Sequence, residues 1–361
     1  MLKYLGPVLS AILLHAAVMA VYLAGHQGDL SALVCLGEER VGEAPYRAIR
    51  TSFKKHGYDG QFYFAIAQAP FGRHDTGIDF APMRQSRILF PALSWALTGG
   101  DAQRLLWAMP LVNLLAIGGL AALGVALAVR YQLNPWWGLL LPLAVNAGLP
   151  LLRDLSDVVS TLAVAALLVA WLFRWRWWTL ALAALTAALA REQNVPIVLI
   201  VLALAVWRRR WLTVAALAGA LLVWGAWLAT LWQMYGVWPF HPTEGAFDHP
   251  LSGLWMRVVH FKPLHPDGLC VSLLLLEVGL AFYLLRRKAD PAVALVALFG
   301  AALALSGGDL FYCDYWSYSR VFAMLPLAVW VGFVQTRLRW PLAVTATQFL
   351  VPLAVALHEA R

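Results

Sequence analysis

Arginine clusters set apart by apolar runs are the strongest constraint in this sequence. Arg130, Arg174 with Arg176, Arg208 to Arg210, Arg286 with Arg287 and Lys288, and Arg337 with Arg339 recur after every second apolar run. About 20 mostly apolar residues match the hydrocarbon thickness of a bilayer, and an excess of Lys and Arg marks the cytoplasmic side of each crossing. A chain so patterned is expected to thread a membrane repeatedly. Of its 361 residues, 61% are apolar and 13% charged, with a mean hydropathy of +0.70; a soluble domain carries roughly 25% charged residues. A soluble cytosolic or secreted domain is therefore excluded. The net charge of +8 reads as topology signal rather than as a nucleic-acid footprint, because the basic residues flank apolar segments.

The expected fold is an all-α polytopic membrane protein, residues 1–361 forming one transmembrane domain. Spans are expected near 5–24, 103–129, 135–151, 158–173, 178–190, 194–207, 211–235, 269–285, 292–307, 320–336 and 340–357, roughly eleven in all. The first run follows Lys3 and lacks a small-x-small cleavage signal, so it is expected to be a retained helix with a cytoplasmic N-terminus. Segment 25–87 then becomes a long first outer loop and 236–268 a second. Segment 88–98 is too short to cross alone and is expected as a half-helix or an outer-leaflet helix. Segment 251–262 spaces Leu251, Leu254, Trp255, Val258 and Val259 as one helical face, with Arg257, His260 and Lys262 elsewhere, as suits a helix in the headgroup layer. Several spans are nearer 14 residues than 20, which fits helices around a cavity. No internal repeat of the inverted-transporter kind is visible.

Almost all acidic residues fall on one side of this topology. In the first outer loop, His56-Gly57-Tyr58-Asp59-Gly60-Gln61-Phe62-Tyr63-Phe64 sets an acid between glycines ahead of an aromatic helix. Glycine permits close backbone approach, and a carboxylate there can take a proton from a sugar hydroxyl. Asp59 is equally placed to cap a helix starting at Gly60, and Phe62 at the third position removes the capping box that would favour that role. Arg84 and Arg87 precede the next apolar run; their planar forks suit a lipid phosphate, with headgroup snorkelling as the alternative.

The turn Arg153-Asp154-Leu155-Ser156-Asp157 places two carboxylates on one helix face, with capping by Asp154 the favoured reading. Arg191-Glu192 sits between apolar runs, where ionised groups must pair or face a polar cavity; a partner in Asp154 or Asp157 is the simplest expectation. Asp309, Asp314 and Arg320 lie amid Tyr312, Tyr315, Trp316 and Tyr318, a composition shared by sugar-stacking sites and interfacial belts. Nine histidines show no metal-ligand spacing, and His241, His249 and His265 each precede proline in extended segments. Cys35, Cys270 and Cys313 contain no C-x-x-C pair and leave room for at most one internal disulfide, free buried thiols being the other reading.

Taken in order, Tyr58-Asp59-Gly60-Gln61-Phe62-Tyr63, Arg87-Ile88-Leu89-Phe90-Pro91, Arg153-Asp154-Leu155-Ser156-Asp157, Arg191-Glu192 and Ser319-Arg320-Val321 resemble the GT-C superfamily of membrane glycosyltransferases. The resemblance covers most of the chain and rests on motif order and common sidedness. It implies an extracytoplasmic active site in the cell (inner) membrane, a polyprenyl-phosphate-linked sugar donor, and a glycan, lipid or protein acceptor. Asp59 matches the catalytic acid of the first outer loop. Arg84, Arg87, Arg191 and Arg320 are then expected at the donor phosphate, with Tyr58, Gln61, Tyr63, Asp154, Asp157, Glu192 and Tyr318 in support. The chain departs from the pattern in lacking an adjacent acidic pair at the end of the first span. Glu38-Glu39 is the nearest such pair, and the flanking glycines favour Asp59. No cofactor is required: a divalent metal is compatible with converging acids, but a monophosphate leaving group held by arginines makes it unnecessary. The rival readings are a transporter or flippase of a lipid-linked or amphipathic substrate, and a non-catalytic assembly subunit.

Overall fold

The computed structural model describes residues 2–240, 247–260 and 265–360. Among these the regular secondary structure is helical, with isolated backbone bridges at Leu36–Ser52 and Phe247–Gly307. Five helical segments are long and apolar enough to cross a membrane: Tyr4–Ala24, Ala102–Arg130, Trp211–Tyr235, Pro266–Leu284 and Trp340–Glu359. The protein is a helical membrane protein. Its outer surface supports this physically, since Trp211–Tyr235 buries only Thr213, Leu217, Ala220, Leu228 and Leu231 and leaves Leu212 and Leu222 more than 70% exposed. A face of that kind is suited to lipid and would aggregate in water.

The expectation of roughly eleven spans is corrected to these five, or six if Tyr315–Val321 and Met324–Thr336, bent by 48° at a short break, act as one. Asp157–Leu172, Trp177–Ala190, Val195–Trp207 and Pro291–Ser306 are apolar helices of 13 to 16 residues. At 1.5 Å per residue they fall short of a hydrocarbon core about 30 Å thick. The run expected at 135–151 is no single helix. It breaks into a 3-10 turn Pro135–Leu139 and short helices Leu140–Ala144 and Gly148–Leu151, with Asn146 at φ +54° between them. Prolines at 135, 142 and 150 withdraw backbone donors at three points, and a hydropathy window does not register that loss.

The chain forms two compact units, one of residues 1–13, 118–149 and 242–355, the other of 14–117, 150–241 and 356–361. In the first, Pro266–Leu284, Pro291–Ser306 and Met324–Thr336 pack together, and Gly300 lies against Leu325 so tightly that a Cβ there would meet its backbone at 3.0 Å. The helix expected in the headgroup layer is Ser252–Val259, with Leu254 buried and Trp255, Met256, Val258 and Val259 exposed. Lys262 and His241 lie outside the described residues.

In the second unit, Asp157–Leu172, Trp177–Ala190 and Trp211–Tyr235 pack side by side. Segment 25–87 belongs to this unit and is built of short helical turns, the helix Gly60–Gln68 and the helix Ala81–Ser86. The half-helix expected at 88–98 is Leu89–Thr98, closed by Gly99 at φ +64°.

Candidate functional site

The loop that carries Asp59 is held by its own backbone. Phe53 N–H donates to Leu36 O (2.6 Å), Glu38 N–H to Lys54 O (3.0 Å) and Tyr58 N–H to Cys35 O (2.9 Å). Gln61 staples the two strands of this turn: its Oε1 accepts from Gly37 N–H (3.0 Å) and its Nε2 donates to His56 O (2.9 Å). Two glycines are required by the packing. A Cβ on Gly57, at φ +69°, would sit 2.3 Å from Gly37 N, and one on Gly60 would sit 2.2 Å from Arg153 O. Asp59 and the Gly60–Gln68 helix are thereby pressed against the Arg153 turn.

Asp59 occupies the N-cap position of that helix, yet its side chain makes no capping bond. Its Oδ1 lies 3.0 Å from Arg84 Nη1, with both side chains about 15% exposed. Arg84 also gives Nε and Nη2 to the two oxygens of Asp79 (3.0 and 2.8 Å) and lies over the Phe62 ring at 4.7 Å. One guanidinium thus serves two carboxylates, and the trio carries a net negative charge. Burial pushes the Asp79 carboxyl up, but the hydrogen bond and charge of Arg84 outweigh it and leave the group below its ordinary range.

Arg87 stands at the end of the Ala81–Ser86 helix, buried, and binds Glu192 through a two-pronged fork, Nη2 to Oε1 (2.6 Å) and Nε to Oε2 (2.9 Å). Its Nη1 lies 3.3 Å from the Tyr63 hydroxyl. Burial raises the Tyr63 phenol, and the Arg87 and Arg191 charges more than reverse that, so it sits below its ordinary value. The residue before Glu192 pairs the other way: Arg191 Nη1 bonds Asp157 Oδ1, both buried. Asn194 ties the same corner, its Nδ2 donating to Ser160 Oγ (2.8 Å) and Ala187 O (2.9 Å). Arg191 therefore finds the partner expected in the 153–157 turn, whereas Glu192 reaches back to Arg87 at the end of segment 25–87.

That turn does not cap as expected. The helix begins at Asp157 with Ser156 at its N-cap and no side-chain capping bond, and Asp154 sits buried at φ +46° with neither carboxylate oxygen hydrogen-bonded. Burial alone raises its pKa well above the ordinary value. Arg153 instead donates Nη1 to Tyr22 Oη (3.1 Å) and Cys35 Sγ (3.1 Å) and stacks on Phe53 at 3.9 Å.

Two expected site residues lie in the other unit. Tyr318 and Arg320 are on the helix Tyr315–Val321, capped by Asp314 through Ser317 N–H (2.7 Å), and Tyr318 donates to Asp267 Oδ1 (2.9 Å). The acidic pair Glu38-Glu39 is at the surface, where Glu39 meets His56 (2.8 Å) and Lys55 (3.5 Å). Cys35 and Cys270 are buried and Cys313 exposed, all as free thiols. His265 caps the helix Pro266–Leu284 through Asp267 N–H. Among the described residues no group of three His, Cys, Asp or Glu could hold a metal ion.

Asp59, Arg84, Arg87, Tyr63, Glu192, Arg191 and Asp157 thus form linked pairs within one unit, and Asp79, which the sequence did not single out, joins them. The same unit contains an open cavity of about 960 Å3 lined by His26, Asp29, Arg50, Thr51, Ser52 and Gln103 among others. Chemically, the arrangement offers a carboxylate with a hydrogen-bonded guanidinium beside it, and a second guanidinium whose Nη1 edge faces a phenol. No family model, curated protein or solved structure matches this chain.

Proposed function

We propose that the protein is a GT-C-type glycosyltransferase that moves a sugar from a polyprenyl-phosphate donor to a glycan, lipid or protein acceptor at the outer face of the cell membrane. In this reading the N-terminus is cytoplasmic and the loop that carries Asp59 is extracytoplasmic. The observation that carries it is Asp59: a carboxylate at a helix start that is not spent on capping and is oriented instead by Arg84.

Asp59 takes the acceptor proton as the hydroxyl attacks the anomeric carbon, and a single displacement inverts that centre. A guanidinium alone would blunt this base, but Asp79 shares Arg84 and keeps the cluster net negative. Arg87 stabilises the departing lipid phosphate. Glu192 occupies two of its five N–H groups, which leaves the edge toward Tyr63 for a phosphate oxygen. The paired carboxylates keep the arginines in place when no donor is bound. Arg191, paired with Asp157, fixes the corner that presents Glu192. The chemistry needs no metal, since the leaving group is a monophosphate met by arginine.

Purified protein in lipid bilayers, given a polyprenyl-phosphate hexose, tests the reading. Mass spectrometry is expected to show free polyprenyl phosphate and glycosylated acceptor in equal amounts. A donor that stays intact while crossing the bilayer would favour a flippase instead.

A further inference from the structure

The unit that holds residues 242–355 buries a carboxyl within a membrane-spanning helix. Glu277 lies eleven residues from one end of Pro266–Leu284 and seven from the other, 1% exposed. Among the described residues its hydrogen-bond partner is Gln348, whose Nε2 donates to Oε1 at 2.7 Å, and no ion pair reaches it. Ionisable groups at such depth are retained where they bind or carry something.

The surroundings are those of a site. Gln348 sits on the 3-10 segment Ala346–Phe349, which interrupts the last apolar helix, and the opposite wall comes from the bend between Tyr315–Val321 and Met324–Thr336. Irregular backbone within a bilayer is tolerated where it lines a cavity. Here Cys270, Leu274 and Glu277 from one helix face Tyr318, Ser319, Phe322, Pro326 and Gln348 around a space of about 10 Å3, room for one water. The titratable and charged groups on the elements packed there are Asp267, Cys270 and Tyr283 on the same helix and Tyr315, Tyr318 and Arg320 on the bent pair; Pro291–Ser306, Met324–Thr336 and Ala346–Phe349 bring none.

We infer that Glu277 is a proton-binding site: its carboxyl holds a proton in the packed state, and losing that proton admits water by parting the Cys270–Glu277 face from the bent helix pair. A carboxylate there has one amide donor, too few to replace its hydration shell, so ionisation and wetting must go together. The inference is independent of sugar transfer, which the other unit's Asp59 carries.

A hydrophobic carbodiimide tests the first half on the full chain in lipid. The protonated acid adds across the N=C=N bond, its proton passing to one nitrogen and its oxygen to the central carbon, and acyl migration then gives a stable N-acylurea that retains every atom of both reactants. Peptide mass mapping is expected to find the adduct on Glu277 at pH 6, with labelling at least tenfold lower at pH 9 and a water-soluble carbodiimide ineffective. Equal labelling by the water-soluble reagent, or no adduct at pH 6, would overturn the assignment. The second half is read at Cys270, which is 4% exposed. Maleimide modification at pH 9 is expected to be at least fivefold faster in wild type than in Glu277→Gln, whose amide cannot ionise. Equal rates in the two proteins would show that Glu277 does not control the opening.

Discussion

Arg84 lies between Asp59 and Asp79, donating one edge of its guanidinium to each, and so fixes the acid that starts the Gly60–Gln68 helix without neutralising the pair. Asp79→Asn leaves Arg84 wholly to Asp59. Sugar transfer is then expected to fall about tenfold, with its acid limb moved to lower pH, because Asp59 becomes a weaker base. A pH–rate profile measures both, and an unchanged profile would separate Asp79 from the chemistry.

The fork between buried Arg87 and half-buried Glu192 makes a prediction about stability. Glu192→Gln strands a buried guanidinium and is expected to cost roughly 3 kcal/mol, whereas replacing both residues with apolar ones of similar volume costs less than that single change. Unfolding midpoints of the two variants in detergent decide it.

Asp154 carries a pH dependence of unusual sign. Burial raises its folded pKa above the unfolded value, so the stability linked to its proton is complete below about pH 3.9 and is lost as pH rises toward the folded pKa. Asp154→Asn needs no proton and tolerates φ +46° better. The variant is expected to melt several degrees higher than wild type at pH 8 and to lose the decline in stability that wild type shows as pH rises above about 3.9. Parallel melting curves for the two proteins would contradict this.

Gly60 sets the contact between segment 25–87 and the Arg153 turn. In Gly60→Ala the added methyl meets Arg153 O at 2.2 Å and Val34 O at 2.8 Å, both backbone. Neither can rotate away, and a loss of about 1–3 kcal/mol is expected together with reduced transfer. The same substitution at Gly236, where nothing lies within 4 Å but φ is +71°, isolates the backbone strain for comparison by thermal melting.

Hydropathy made the helices legible because burial in lipid and burial in a core select the same residues. It fixed Trp211–Tyr235 and Asp157–Leu172 to within a residue. It missed the breaks at residues 135–151, where proline and Asn146 at positive φ interrupt an apolar run without lowering its hydropathy. At the site, the need of Arg191 for a carboxylate was legible, since an ionised group between apolar runs must pair, and Asp157 is the partner. The fork between Glu192 and Arg87 spans 105 positions and leaves no local trace. Asp79 had a signal, five residues ahead of Arg84 and just before a proline-led helix start, but an exposed loop aspartate looks the same.

Asp59→Asn is the most direct measurement, made on purified protein in lipid with a polyprenyl-phosphate hexose donor. The amide preserves the side chain's shape and leaves Arg84 bound to Asp79, so melting temperature and donor binding are expected to match wild type. Transfer is expected to fall by about 10²–10⁴, the contribution of a positioned general base. Full turnover by that folded variant would contradict the assignment of the base and with it the proposed transfer at this loop.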